Sequence, residues 1–226
     1  MNSTELKAAF RADVQDEASD YLWSDAEIFR YMNGAQAEFV RAIGGIPDSS
    51  TTAVTQLTLP AGQEFVATHA KILRIRGLRD AAGRRVDILN YEQFEADGNT
   101  SWCDYGFRSN VMDLTQGVVR AVVTGMQQHY VRPVMIPAVE TVLKLTVDRL
   151  PLNELTTTGQ TLEIDVLHHE YLLLGMKARA LMKNDAETFD RARANENAAA
   201  FAAYCAKCFD ERIRSEHRYR GVQYAD

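Results

Sequence analysis

The chain has 226 residues, with 31 acidic against 25 basic side chains and a net charge of −6, a length that suits one large domain or two small ones. Hydrophobic residues at 46% and charged residues at 25% are the proportions of a chain that buries a core, which excludes a disordered one. No apolar run approaches the roughly 20 residues that span a bilayer, and the acidic surplus excludes a protein that binds nucleic acid over its whole surface.

The first residues show no basic region followed by an apolar stretch, so no secretion signal is expected. Ser3 or Thr4 can cap a first helix with Leu6, Phe10, Val14 and Ala18 on one stripe. Ser24 and Glu27 form a capping box. It opens a second helix to about Ile43, with Ile28, Met32, Ala35, Phe39 and Ile43 on its buried face. Gly44-Gly45 ends it, and Pro47–Thr52 reads as a linker.

From Ala53 the pattern alternates. Thr55, Leu57 and Leu59 lead to a turn at Pro60-Ala61-Gly62. Strands are expected at Ile72–Asp80 and Arg85–Leu89, joined by a hairpin turn over Ala81–Arg84. Asn90 can cap a short helix through Ala96. Val118–Thr124 and Gln128–Arg132 are further strands. Val139–Asp148 is the clearest, with Val139, Thr141, Leu143, Leu145 and Val147 on one face, the pattern of a half-buried antiparallel strand. Helix returns near Ile164, with Ile164, Leu167, Tyr171, Leu174, Ala178 and Leu181 forming a seam. After Asn184-Asp185 a last helix runs from about Ala186 towards Arg218, with Ala194, Ala198, Phe201, Cys205, Cys208 and Ile213 on its stripe.

The expected fold is therefore α+β: a four-helix bundle, two N-terminal and two C-terminal helices, with an inserted antiparallel β domain. Residues 1–52 form the first half of the bundle, 53–150 the β domain, 151–218 the second half and 219–226 a tail. Charge follows this division. Residues 1–52 hold four basic and nine acidic side chains, net −5, and residues 151–190 three and seven, net −4. Residues 53–150 hold eleven and ten, net +1, and residues 191–226 seven and five, net +2. This is either scatter in surface charge or the polarity of subunits that pack head to tail in a ring.

Catalytic and cofactor motifs are missing: no glycine-rich phosphate loop, no GxSxG and no HExxH. Cys205-Ala-Lys-Cys208 has CxxC spacing, but it lies within a helical stretch and lacks a second ligand pair, so it reads as two packed small residues. Together with Cys103 the count is three, which fits reduced thiols. His168-His169-Glu170 cannot hold one metal from a single helix, because adjacent side chains point about 100° apart. A helix-start histidine bonded to nearby backbone is the simpler reading. Asp97, Asp104 and Asp113 beside Trp102 and Tyr105 are the raw material of a sugar-cleaving site, but no spacing fixes a pair. Arg74, Arg76, Arg79, Arg84 and Arg85 form the densest basic cluster. They suit phosphates, an acidic protein surface or plain solvation. Arg212, Arg214, Arg218, Tyr219, Arg220 and Tyr224 form a second set, of the residue types enriched in binding hot spots, or else a frayed terminus.

Two segments carry a family likeness. One is Trp23-Ser24-Asp25-Ala26-Glu27-Ile28, then Tyr31, Asn33, Ala35-Gln36 and Glu38-Phe39. The other is Leu162–Leu172, followed by Lys177–Ala180 and Asp185. Leu57–Pro60, Ile72–Arg79 and Tyr130–Pro133 extend it through the middle. The chain resembles the adaptor, or head–tail connector, proteins of tailed bacteriophages over nearly its whole length. Asp165 stands where the family pattern has proline, so the resemblance does not fix where the third helix begins.

The resemblance implies a non-enzymatic structural virion protein without cofactor, made in the bacterial host cytoplasm and placed in the phage neck. It implies a ring, typically a dodecamer, docked on the portal protein. Such a ring joins head to tail or stopper protein and leaves a channel for viral DNA as passing cargo. The C-terminal helix and tail, Ala186–Asp226, would reach into the portal, making the second basic set its portal-binding residues. The hairpin arginines would then meet a neighbouring subunit or the DNA channel. The competing readings are a tail terminator or stopper protein, and a virion-associated hydrolase using the loop carboxylates. An acidic wall suits a conduit as well, since it repels passing DNA.

Overall fold

The computed structural model describes residues 1–18, 20–92, 116–184 and 187–216. Helix α1 (Ser3–Asp13) is capped by Asn2 rather than by Ser3 or Thr4. The Asn2 side-chain oxygen accepts the amides of Thr4 and Glu5, each at 3.0 Å, and the Glu5 carboxylate accepts the Asn2 amide at 3.0 Å. Helix α2 (Asp25–Ala42) starts at the expected box: Ser24 Oγ accepts the Glu27 amide, and Glu27 accepts the Ser24 amide at 2.9 Å. It stops at Gly44 and Gly45, whose φ values of 86° and 102° lie in the region that a Cβ disfavours.

The contacts of the chain divide it into two compact units, Met1–Gly45 with Leu150–Asp226, and Ile46–Arg149. In the first, a 3-10 turn at Val166–His168 runs into α4 (His169–Ala180), and α5 (Arg191–Glu216) comes next. Asp165 caps that turn by accepting the Leu167 amide at 3.0 Å. The helices pack around α4, which takes α1, α2 and α5 against its sides. Contact is closest at Gly175. A Cβ there would lie 2.9 Å from the Phe201 ring and 3.1 Å from the Ala35 Cβ, so only glycine admits α2 and α5 together.

The buried face of α4 is His169, Leu172, Gly175, Met176 and Ala180. The expected seam through Leu167 and Tyr171 is turned outward, with Leu167 74% exposed. Three consecutive leucines, 172 to 174, make this helix apolar on several sides, so spacing alone did not select the packed face. On α5 the expected stripe holds at Ala194, Phe201, Cys205 and Cys208, while Ala198 and Ile213 are exposed. The first unit is tied at its other end by Arg11, which donates to Asp16 at 2.6 Å, to the Trp23 carbonyl at 3.0 Å and to Asp25 at 2.8 Å.

The second unit contains β1 (Ile46–Asp48), a single turn α3 (Thr52–Thr55), β2 (Gln56–Leu59), β3 (Val66–Ala67), β4 (Ile72–Arg79), β5 (Arg85–Asn90), β6 (Gln116–Gly117), β7 (Ala121–Thr124), β8 (Tyr130–Val134), β9 (Ile136–Pro137) and β10 (Thr141–Arg149). Eight of these strands form one curled sheet in the order β1-β10-β4-β5-β7-β8-β3, with β2 also laddered to β10. β6 and β9 pair separately.

The fold expected from sequence, a four-helix bundle with an inserted antiparallel β domain, is thus corrected. The described residues contain five α-helices, and the large sheet is mixed because β5 and β7 run parallel. A parallel pair needs a crossover of a dozen residues or more, which the chain between Asn90 and Ala121 provides. Alternation reports burial and not strand direction, so it could not reveal this. One sign was present: Ala121, Val122 and Val123 are consecutively buried, the mark of a strand covered on both faces. The expected linker at 47–52 also carries structure, β1, because its residues pair with the end of β10.

That pairing closes the second unit. Ile46 stands opposite Arg149, and Asp48 opposite Val147. Arg149 Nε donates to the buried Asp48 carboxylate at 2.6 Å, and Asp48 also accepts the amides of Ser50 and Thr51 at 2.9 and 3.0 Å. Burial raises the Asp48 pKa, but the Thr51 amide, the Arg149 guanidinium and the Ser50 amide outweigh it and hold the carboxyl well below its ordinary value. Its contribution to stability is therefore present above the ordinary carboxylate range and lost as pH falls through the folded-state value. Asp48→Ala leaves Arg149 buried without this carboxylate and is expected to cost about 3–5 kcal/mol, read by denaturant unfolding at neutral pH. Adding Arg149→Met should recover part of that loss.

Candidate functional site

The arginine hairpin is built where β4 changes partners. Two β-bulges interrupt its ladder with β10, between Thr146 and Val147 and between Asp148 and Arg149, leaving Arg76 and Leu73 as the extra residues. A bulge re-aims the side chain it carries. Arg76 Nε accordingly reaches the buried Asp148 carboxylate at 2.7 Å, and Asp148 stands opposite Arg74 in the ladder. Arg84 closes the turn onto Asp80 at 2.7 Å, Arg79 donates to the Gly83 carbonyl at 3.0 Å, and Arg85 lies 3.4 Å from Asp87. Arg74 is exposed.

Beside this hairpin runs a groove of about 1220 Å³. It is lined by all eight residues of β4, by most of β5, and by Thr124–Gly125, Gln127–Val131 and Lys144–Thr146. Arg74, Arg76, Arg79, Arg85 and Lys144 contribute to its wall, and no carboxylate does among the described residues. The structure therefore places four of the five hairpin arginines along one groove. Lys144, which sequence reasoning passed over, joins them because its β10 position stands opposite Arg79.

A second feature lies where α4 begins. Tyr171 stacks on Tyr204 with ring centroids 3.5 Å apart and planes 8° off parallel. His168 Nδ1 lies 2.9 Å from the Tyr204 hydroxyl, and its ring packs on Phe39 at 4.8 Å. His169 is buried, with Nε2–H donating to the Ile164 carbonyl at 3.0 Å. The backbone-bonded histidine is thus His169, while its neighbour joins an aromatic cluster. Val166, Leu167 and Tyr171 present a row of exposed apolar side chains next to that cluster.

The two histidines part company as helix geometry requires, and no group of three His, Cys, Asp or Glu among the described residues is placed to hold a metal. Cys205 and Cys208 are buried free thiols, and burial pushes Cys205 up to about 11. No helix among the described residues is long and apolar enough to cross a membrane.

Of the second basic set, Arg212 and Arg214 lie on α5. Arg212 is turned onto the end of α2, donating to the Ile43 carbonyl at 2.8 Å and to the Gly45 carbonyl. A cation at these C-terminal carbonyls complements the helix dipole. Arg214 is exposed. Arg218, Tyr219, Arg220 and Tyr224 lie outside the described residues, as do Asp97, Asp104, Asp113, Trp102, Tyr105 and Cys103, and the expected helix through Ala96 beyond Glu92.

Burial holds the His168 pKa below its ordinary 6.5, helped by His169 and opposed by Asp165 and Glu211. The unfolded chain then takes up the proton first, so stability is unaffected above about pH 6.5 and falls as pH drops below it. Thermal melts between about pH 7 and pH 5 should show this decline, and His168→Gln should flatten it.

No curated protein matches the chain. The family model of the SU10 adaptor protein matches residues 1–223, which takes in both the helical and the strand-rich units. On that match the chain belongs to the SU10 adaptor protein family, a family of phage adaptors.

Proposed function

We propose that the chain is a structural adaptor of the phage neck, forming a ring, typically twelvefold, that docks on the portal and receives the tail or stopper protein. Viral DNA passes through its channel as cargo. As a family member it is a virion-associated phage adaptor, and an adaptor joins other head or tail proteins. The observation that carries the assembly reading is the exposed row Val166, Leu167 and Tyr171. A monomer gains nothing by leaving such side chains in water, whereas an assembly buries them.

In this reading the tail residues Arg218, Tyr219, Arg220 and Tyr224, with Arg214, make the portal contact. Arg212 supports them by fixing α5 to the end of α2. The hairpin arginines face a neighbouring subunit or the channel. Two variants separate these surfaces. Leu167→Asp alters a side chain that is 74% exposed, so folding is expected to be unchanged while ring formation is lost, read by negative-stain microscopy and native mass measurement. Truncation after Glu216 keeps all of α5 and the Arg212 bonds. It is expected to abolish capture by purified portal while the circular dichroism of the helices is preserved. Wild-type rings and wild-type capture from these two variants would overturn the reading.

A further inference from the structure

The groove beside β4 has a feature that its charge alone does not explain. Both alternating sets of β4 side chains border it, since Ile72 through Arg79 all line it without a gap. A strand that meets a groove with one face would contribute every second residue. Eight consecutive residues mean that the groove follows β4 along its whole length.

One edge of that strand is open. β4 pairs with β5 only through Leu78 and Arg79, whereas its ladder with β10 continues to Ile72. β5 turns away to pair with β7 from Asp87 onward. From Ile72 to Ile75, therefore, β4 carries a ladder on one side only among the described residues. Backbone amides and carbonyls along such an edge are a template for one more strand.

We infer that this groove accepts an extended, acidic segment of another protein, which adds to the edge of β4 and sets its carboxylates against Arg74, Arg79, Arg85 and Lys144. The inference rests on the assembly reading above but replaces its neighbouring subunit or channel with a segment of a different protein as what the arginine groove meets. Charge selects an acidic occupant: Arg76 and Arg85 already face Asp148 and Asp87, but Arg74, Arg79 and Lys144 add further positive charge to a wall that no carboxylate lines among the described residues. Edge geometry selects a polypeptide over DNA, because a sugar-phosphate chain cannot continue a β ladder. A second copy of this chain is a poorer fit: the acidic side chains of residues 1–52 that lie outside α1 and α2 are Asp16, Glu17, Asp20 and Asp48, and Asp16 and Asp48 are buried against Arg11 and Arg149.

The test uses the full chain and a labelled peptide of about eight residues, the length of β4, alternating threonine and glutamate. Fluorescence anisotropy should show saturable binding, and amide NMR shifts should centre on Leu73–Ile75. Arg74→Glu should weaken binding roughly tenfold without altering the melting temperature. The same peptide with alternate amides N-methylated keeps its charge but loses its ladder bonds, and should not bind. A threonine–lysine peptide should not bind either. Equal binding of the N-methylated peptide, tighter binding of a short DNA duplex, or no saturable binding below about 1 mM would overturn the inference. In the last case the arginines would instead be charges that keep an open edge from pairing with other copies. None of these outcomes depends on portal capture or ring formation, so failure here is distinguishable from failure of the neck reading.

Discussion

The strand-rich unit depends on one closure. Its first strand, Ile46–Asp48, lies antiparallel to the end of its last, Val147–Arg149, and the Asp48–Arg149 ion pair sits within that ladder. A unit whose two ends pair with each other can be entered and left at one place. The desolvation of both charges is offset because the carboxylate is also held by the Ser50 and Thr51 amides. β10 then serves as the spine: β1 and β2 share one of its edges, and β4 takes the other.

Bulges in that spine set the course of the rest of the sheet. Because β4 slips by one residue twice against β10, Arg76 is turned onto Asp148. β5 pairs with β4 for only two residues before joining β7. The open edge and the basic groove are consequences of the same irregularity. In the helical unit the corresponding constraint is Gly175, where the approach of Phe201 and Ala35 leaves no room for a side chain. Both units keep their buried charges paired, as Arg132 shows at 2% exposure with Glu64 at 2.9 Å.

Much of the local structure was legible in the residues. Ser24 and Glu27 marked the start of α2, and Gly44-Gly45 its end, because capping and left-handed backbone are decided by immediate neighbours. The hairpin at Arg79–Arg85 and the buried side of β10 at Leu143, Leu145 and Val147 were equally local. The candidate site was legible in part. The arginines were picked out by density, but their groove was not, since it arises from a change of strand partners. Leu167 and Tyr171 of the apolar row were assigned to a packed seam, because periodicity identifies an apolar face without saying whether another helix covers it.

The sequence by itself determined both ends of α2, the hairpin of β4 and β5, the buried face of β10, the lack of a recognisable catalytic motif, and the likeness to a phage adaptor family. These rest on short-range rules of capping, turn chemistry and alternation, and on residue patterns that survive without coordinates. Only the tertiary structure decided that β5 and β7 run parallel, that α4 packs through Leu172 and Met176 while Leu167 faces water, and that Arg212 binds the end of α2. Each of these joins residues that lie far apart in the chain, and their energies depend on which surfaces meet, a quantity that no local pattern of residues encodes.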